Sequence, residues 1–304
     1  MKILLTGSSG QLGRRLISSK PKHIYLITPS RKELDLRDIE SCYEYVIKIR
    51  PDWIINSAAF TAVDYAESQK EDAYKINALA PKSLAKALKF TGGKMIQIST
   101  DYVFNGKNNN PYLTTQKKDP ISFYGKSKAD GEEAIEKELS STKNYYILRT
   151  SWLISEIGNN FILAMLNLFS KEKEISIVSD QIGSPTSTSS LVEAIWRIIE
   201  LDESLKNNHK NSPNIIHWTD QGIASWYDLG LETLKISKKI GLINKEVNLI
   251  PIKTFQYKTK ALRPLYSVLD CQSSKFLLNI EQKHWGVTLQ EILMNIYCGR
   301  MKVK

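Results

Sequence analysis

Three clusters of residues have the types and spacing to do chemistry. Gly7-Ser8-Ser9-Gly10-Gln11-Leu12-Gly13 lies between a short apolar run, Lys2–Thr6, and an amphipathic stretch, Gln11–Ser19. Glycine lacks a Cβ, so the chain can turn sharply and a phosphate can come close to the backbone. A helix that starts there adds free N–H groups and the positive end of its dipole. Strand before and helix after is the context that turns a weak glycine pattern into a dinucleotide-binding fingerprint. Gly7, Gly10, Gln11, Leu12 and Gly13 are therefore candidate cofactor residues. Tyr124-Gly125-Lys126-Ser127-Lys128 places a phenol and an ammonium four residues apart, on one face of a helix. A neighbouring ammonium favours the phenolate and draws a tyrosine pKa toward neutral, which suits a general acid–base. With 14 tyrosines in a lysine-rich chain, one or two such pairs arise by chance, roughly, so spacing alone carries little. The pair opens the helix after the fourth strand. Ser99-Thr100 closes that strand, where a hydroxyl can hydrogen-bond a reacting carbonyl. Thr100, Tyr124 and Lys128 are thus candidates for acid–base chemistry at the end of that strand. After the second strand the chain reads Pro29-Ser30-Arg31-Lys32, with no acid before Glu33. NAD-selective sites usually place a carboxylate about 20 residues past the glycines. Arg31 here offers paired N–H groups to a 2′-phosphate instead, which predicts a preference for NADPH.

The elements that must position these groups follow from apolar patterning. Strands are predicted at Lys2–Thr6, His23–Thr28, Trp53–Asn56, Lys94–Ser99 and Tyr145–Arg149, and helices at Gln11–Ser19, Ile39–Ile49 and Tyr124–Leu139. Helical material is also predicted between Glu67 and Phe90, stopped by Gly92-Gly93. Strands alternating with helices over 150 residues mean βαβ units and a doubly wound parallel α/β sheet of the Rossmann type. Beyond Trp152 the pattern loosens. A short helix at Phe161–Phe169, a strand at Ile175–Val178, a loop over Gln181–Thr186, a helix at Ser190–Leu201, a strand at Ile215–Trp218 and a helix at Trp226–Lys238 are predicted. The expected division is a cofactor domain over 1–150, rejoined by 183–220, and a smaller mixed α/β substrate lobe built from 151–182 and 221–304.

Composition narrows the function classes. A chain of 304 residues with 42% hydrophobic and 24% charged residues is ordinary globular protein. No apolar run approaches the roughly 18–20 residues of a membrane span, and the first residues are too short an apolar run for a secretory signal. Cys42, Cys271 and Cys298 are odd in number and far apart, which suits a reducing cytoplasm. Four scattered histidines without zinc spacing predict no metal. The net charge of +10 is spread along the chain rather than gathered in a stripe, so it predicts neither a nucleic-acid nor a membrane partner.

The glycine spacing and the Tyr124/Lys128 pair resemble those of the short-chain dehydrogenases, which likewise place the pair at the start of the helix after the fourth strand, and further motifs point to one branch. Gly10-Gln11-Leu12-Gly13, Asn56–Asp64, Ser99–Phe104, Arg149–Trp152, Asp180–Thr186 and Arg263-Pro264 together resemble the dTDP-4-dehydrorhamnose reductases, in that family's order from Met1 to about Asp270. The resemblance implies nicotinamide-dependent reduction of the 4-keto group of dTDP-6-deoxy-L-lyxo-4-hexulose to dTDP-L-rhamnose, with NADH accepted beside NADPH. It implies that Thr100, Tyr124 and Lys128 are catalytic, that Asp35 and Leu36 meet the adenine, and that Ala58, Ala59 and Asn77 line the cofactor. Val63, Asp101, Tyr102 and Trp152 would hold the sugar, and Arg263 would approach the diphosphate. One departure stands out. Members with a magnesium-bridged dimer carry a glutamate where this chain has Arg14-Arg15 after Gly13, so a monomer or weak homodimer is expected. Two alternatives stay open: a reductase of another NDP-4-keto-6-deoxyhexose, and a non-catalytic NADP-binding regulatory subunit of methionine adenosyltransferase. The intact Thr100/Tyr124/Lys128 set counts against the second.

Overall fold

The computed structural model describes residues 1–204 and 213–301, with side chains through 299. Five apolar runs form the strands β1 (Lys2–Thr6), β2 (Tyr25–Ile27), β3 (Trp53–Asn56), β4 (Lys94–Thr100) and β5 (Tyr145–Thr150), and Ile215–His217 adds a sixth. All pair in parallel, in the order β2-β1-β3-β4-β5 with Ile215–His217 beyond β5. A parallel sheet is covered on both faces, so its strands read as continuous apolar runs whose side chains alternate between the layers. Ile3, Leu5, Ile55, Ile96 and Leu148 pack on one face, with Leu12 and Leu16 of the first helix (Gln11–Ser18) and Leu191 and Ile195 of the helix Thr188–Ser204. Leu4, Ile54, Met95 and Ile147 pack on the other, with Val46, Leu84, Leu88 and Ile135. The strand order reverses between β1 and β3, and ligands of such sheets bind at the carboxyl ends beside that reversal.

The helix Ile39–Ile49 starts where the Asp38 carboxylate accepts the Ser41 N–H at 3.1 Å and stops at Arg50, left-handed at φ 46°, before Pro51. The helical stretch foreseen between Glu67 and Phe90 is broken instead into Val63–Ala66, Lys70–Tyr74, a π turn at Lys75–Leu79 and Ala80–Thr91. Pro81 explains the irregular turn: it has no N–H to return to the Asn77 carbonyl. The freed carbonyl faces Gly131 of the helix Phe123–Glu138, where an added Cβ would stand 2.1 Å from that oxygen.

Beyond β5 the chain builds short pairings. Leu153–Ile154 lies parallel to Thr186–Ser187, Ile182–Gly183 antiparallel to Ala224–Ser225, and Glu174–Val178 parallel to Asn248–Ile252. The stretch predicted as a plain loop, Gln181–Thr186, thus supplies strand residues, because its backbone is taken up by partners distant in sequence. The helices Phe161–Lys171, Trp226–Lys239 and Trp285–Met301 enclose a separate apolar cluster with Leu166, Phe169, Ile177, Leu229, Leu289 and Leu293. Sequence patterning predicted nothing after Lys238, yet Gln272–Leu278 and Trp285–Met301 are helical. No helix among the described residues is long and apolar enough to cross a membrane.

Candidate active site at the carboxyl ends of the strands

The glycine turn sits at the carboxyl end of β1, packed against the end of β3. Gly7 is left-handed at φ 71°, and a Cβ there would meet the Ala58 nitrogen at 2.7 Å. A Cβ on Gly13 would stand 2.2 Å from the Gly7 oxygen. The Gly10 N–H donates to that same carbonyl at 3.0 Å, closing the turn. A nicotinamide dinucleotide fits this cradle: only glycine can bring the backbone so close, and the helix start has no acidic residue in its first turn. Leu12 is buried in the core, whereas the Gln11 amide bonds the Leu153 carbonyl and Asn160, joining the turn to the chain beyond β5.

Arg31 is exposed, with its Nε 3.6 Å from the Asp35 carboxylate. Asp35 is held chiefly by Arg37, whose Nη2 donates to it at 2.6 Å, and the Arg37 hydrogen bond brings its carboxyl down to about 2. Arg37 was not foreseen; the only sequence signal was its place two residues past Asp35. Leu36 points into the core below. Ala58 and Ala59 lie half-buried after β3, and the buried Asn77 fixes the next residue. Its Oδ1 accepts the Phe60 N–H at 2.8 Å, while its Nδ2 donates to the Phe60 carbonyl at 3.1 Å and to Ser127 Oγ at 3.0 Å. Asn77 therefore ties the loop after β3 to the helix that carries Tyr124.

That helix starts at Ser122, whose Oγ accepts the Gly125 N–H at 3.2 Å. A Cβ on Gly125 would stand 2.2 Å from the Tyr102 oxygen, so the helix end abuts the turn after β4. Tyr124 is buried, with its ring edge-on to Tyr102 at 5.6 Å. Burial pushes its phenol up to about 12, with Thr100 hydrogen bonding against that rise and the Asp101 charge adding to it. The expected lowering by Lys128 is thus not found. The Lys128 ammonium turns to the end of β4 and donates to the Ile98 carbonyl at 2.6 Å, and burial brings it down to about 8 while Glu132 opposes the fall. Helix periodicity gave the shared face; the competing carbonyl belongs to another element and has no local signature.

Thr100 Oγ donates to Asp101 Oδ1 at 2.9 Å and accepts the Tyr102 N–H at 3.2 Å. Asp101 is 2% exposed, no hydrogen bond of good geometry reaches its Oδ2, and burial pushes its carboxyl up to about 6 against the pull of Ser267 and Thr100. Val63 opens the short helix Val63–Ala66. Beside it Asp64 receives the Arg263 guanidinium at 2.5 Å and the Ala261 N–H at 3.0 Å, and Arg263 Nε is buried without a partner. Trp152 follows β5 two residues after Thr150, which pairs with Thr100 in register. Its backbone is left-handed at φ 45°, a strain of about 1–3 kcal/mol for a bulky residue. Its indole stacks on Trp226 at 3.6 Å and 5°. Trp226 was also unforeseen, since nothing local marks a partner 74 residues away.

A fully buried ion pair lies behind the site. Arg149 of β5 meets Glu132 at 2.7 Å, and Glu132 also accepts the Ser99 hydroxyl. His217 lies 3.3 Å from the same guanidinium and is driven down to about 3, first by burial and then by Arg149, so it stays neutral. The Cys42 and Cys271 thiols are pushed up to about 12 and about 11 by burial. No group of three or more His, Cys, Asp or Glu among the described residues could hold a metal ion.

Comparison with known proteins agrees with this architecture. A family model described as the RmlD substrate binding domain matches residues 1–298. The chain is 37% identical over 293 residues to the spore coat polysaccharide biosynthesis protein SpsK of Bacillus subtilis, covering 96% of each. It is 33% identical over 304 residues to the dTDP-4-dehydrorhamnose reductase of Escherichia coli, covering 98% of each. Among solved structures, the dTDP-4-dehydrorhamnose reductase of Bacillus anthracis in complex with NADP superposes with a TM-score of 0.86 at 32% identity, over 97% of this chain and 99% of that one. A UDP-glucose 4-epimerase of Thermotoga maritima, 19% identical with a TM-score of 0.78, shares the fold. Matched over nearly its whole length by the family model and by these reductases, the chain belongs to the dTDP-4-dehydrorhamnose reductase family.

Proposed function

We propose that this protein reduces the 4-keto group of dTDP-6-deoxy-L-lyxo-4-hexulose, giving dTDP-L-rhamnose, with NADPH as the preferred reductant. The observation that carries this reading is the convergence of Thr100, Asp101 and Tyr124 in one buried group at the carboxyl end of the same sheet that carries the glycine turn. When bound, the reduced nicotinamide supplies the hydride. Tyr124 gives its phenolic proton to the sugar oxygen as negative charge develops there. A phenol held up to about 12 by burial is protonated at neutral pH, as a donor must be. Thr100 polarises the carbonyl, and Lys128, while protonated, holds a ribose hydroxyl.

Gly7, Gly10, Gln11 and Gly13 cradle the dinucleotide phosphates, with Leu12 anchoring the turn. Arg31 takes the 2′-phosphate, Asp35 and Leu36 border the adenine, and Ala58, Ala59 and Asn77 shape the wall between. Val63, Asp101, Tyr102 and Trp152 hold the sugar, and Arg263 reaches the diphosphate. In this reading 1–150 with 183–220 is the cofactor domain, residues 205–212 of which lie outside the described residues, and 151–182 with 221–304 is the substrate lobe. The protein works in the cytoplasm as a monomer or weak homodimer. The test follows NADPH oxidation optically, with and without the keto sugar nucleotide, in wild type and Tyr124→Phe. Loss of a positioned acid costs about 10²–10⁴-fold in kcat. A variant that keeps more than about a tenth of the wild-type rate removes Tyr124 as the proton donor.

A further inference from the structure

We infer that Trp226 is a positioning residue for the substrate, acting through Trp152. The inference rests on the reading of Trp152 as a sugar contact. Four observations carry it. Trp152 has a left-handed backbone, φ 45°, that a bulky residue adopts only when its surroundings impose it. Its indole lies parallel to that of Trp226, 3.6 Å between centroids and 5° between planes. A Cβ on Gly183 would stand 2.6 Å from the Trp152 ring, so the ring is closed in there by a backbone that has no room for a side chain. Trp226 is itself fixed, because its Nε1–H donates to Gln181 Oε1 at 3.2 Å and Phe161 packs on it at 4.9 Å.

These contacts leave the Trp152 ring one pose, beside the strand end that carries Thr150 and, in register with it, Thr100. The Trp152 carbonyl is held as well, by the Thr186 N–H at 3.1 Å. With the stack removed, the strained backbone can relax and the ring can turn in the space left behind. The bound sugar would then face a contact with no fixed position, although no group touching it has been changed.

The test measures kcat and KM for the keto sugar nucleotide and for NADPH in wild type, Trp226→Ala, Trp226→Phe and Trp152→Ala. The far-ultraviolet exciton couplet of a stacked tryptophan pair reports the stack directly. Trp226→Ala should raise KM for the sugar nucleotide about tenfold, the scale of one aromatic stack. KM for NADPH should hold, and the couplet should vanish. Trp226→Phe, which keeps a ring against Trp152, should restore most of the affinity. If Trp226→Ala does not fold, Trp226→Leu carries the same expectation. Unchanged sugar-nucleotide KM in Trp226→Ala or Trp226→Leu, while Trp152→Ala raises it, overturns the inference and leaves the reading of Trp152 standing. Unchanged KM in Trp152→Ala overturns that reading, and the inference with it.

Discussion

Replacing Asp101 by Asn should stabilise the folded protein while impairing the reaction. Asp101 is 2% exposed, and burial raises its carboxyl from 3.8 to about 6. A carboxyl with a raised folded-state pKa binds its proton more tightly folded than unfolded. Stability is therefore highest below the unfolded value and falls as pH climbs from about 4 to about 6, after which the penalty is constant. At 1.36 kcal/mol per tenfold, the shift corresponds to about 3 kcal/mol of destabilisation at neutral pH. Asparagine removes the charge and keeps an oxygen for the Thr100 hydroxyl that now reaches Oδ1. Its NH₂ would take the place of Oδ2, where no hydrogen bond of good geometry is made, at a cost of about 1–2 kcal/mol. The net gain is about 1–2 kcal/mol, a rise in Tm of roughly 1.5–3 °C for a chain of this length. Thermal and urea unfolding of both proteins, at about pH 7.5 and about pH 4.5, measures it. The advantage should shrink at the lower pH, where wild-type Asp101 is protonated. An Asp101→Asn variant less stable than wild type at the higher pH, or an advantage that ignores pH, would refute the reasoning.

Lys128, brought down to about 8, sets a second pH expectation: kcat/KM should fall as pH rises through about 8, and Lys128→Met should lose that limb of the profile along with most activity. Arg31→Ala should cut the preference for NADPH over NADH, which one net phosphate contact sets at roughly 5–30-fold; equal kcat/KM for both cofactors in wild type would end that assignment. Arg263→Ala should raise KM for the sugar nucleotide more than KM for NADPH, by about 1.5–3 kcal/mol in binding. Asp64→Asn should produce a smaller rise, since Asp64 holds that guanidinium and the Ala261 N–H without meeting the diphosphate itself.

Local patterning was a good guide wherever one segment determined its own conformation. Trp53–Asn56 and Ile39–Ile49 fall where their apolar spacing puts them. The glycine turn was legible because a sharp strand-to-helix turn permits few other residues. What escaped was set by contacts between distant segments. The π turn at Lys75–Leu79 depends on Pro81 and on Gly131, fifty residues on. Lys128 stands on the foreseen helix face but donates its hydrogen bond to the Ile98 carbonyl, which no spacing rule could show. The Trp152–Trp226 stack and the Asp64–Arg263 pair likewise join residues whose separation in sequence carries no period. The helix Trp285–Met301 was missed because its apolar residues do not gather into a single stripe.

Asn77 has a consequence for how the protein breathes. One buried amide holds both backbone groups of Phe60 and the Ser127 hydroxyl, so the loop after β3 and the helix of Tyr124 cannot open separately without orphaning it. An orphaned buried amide costs about 1–3 kcal/mol, which favours the two opening together as one unit of local unfolding. A ligand that grips the loop therefore slows amide exchange along the helix Phe123–Glu138, even at residues it never touches. Protection acquired by the loop after β3 is inherited by the helix that carries Tyr124.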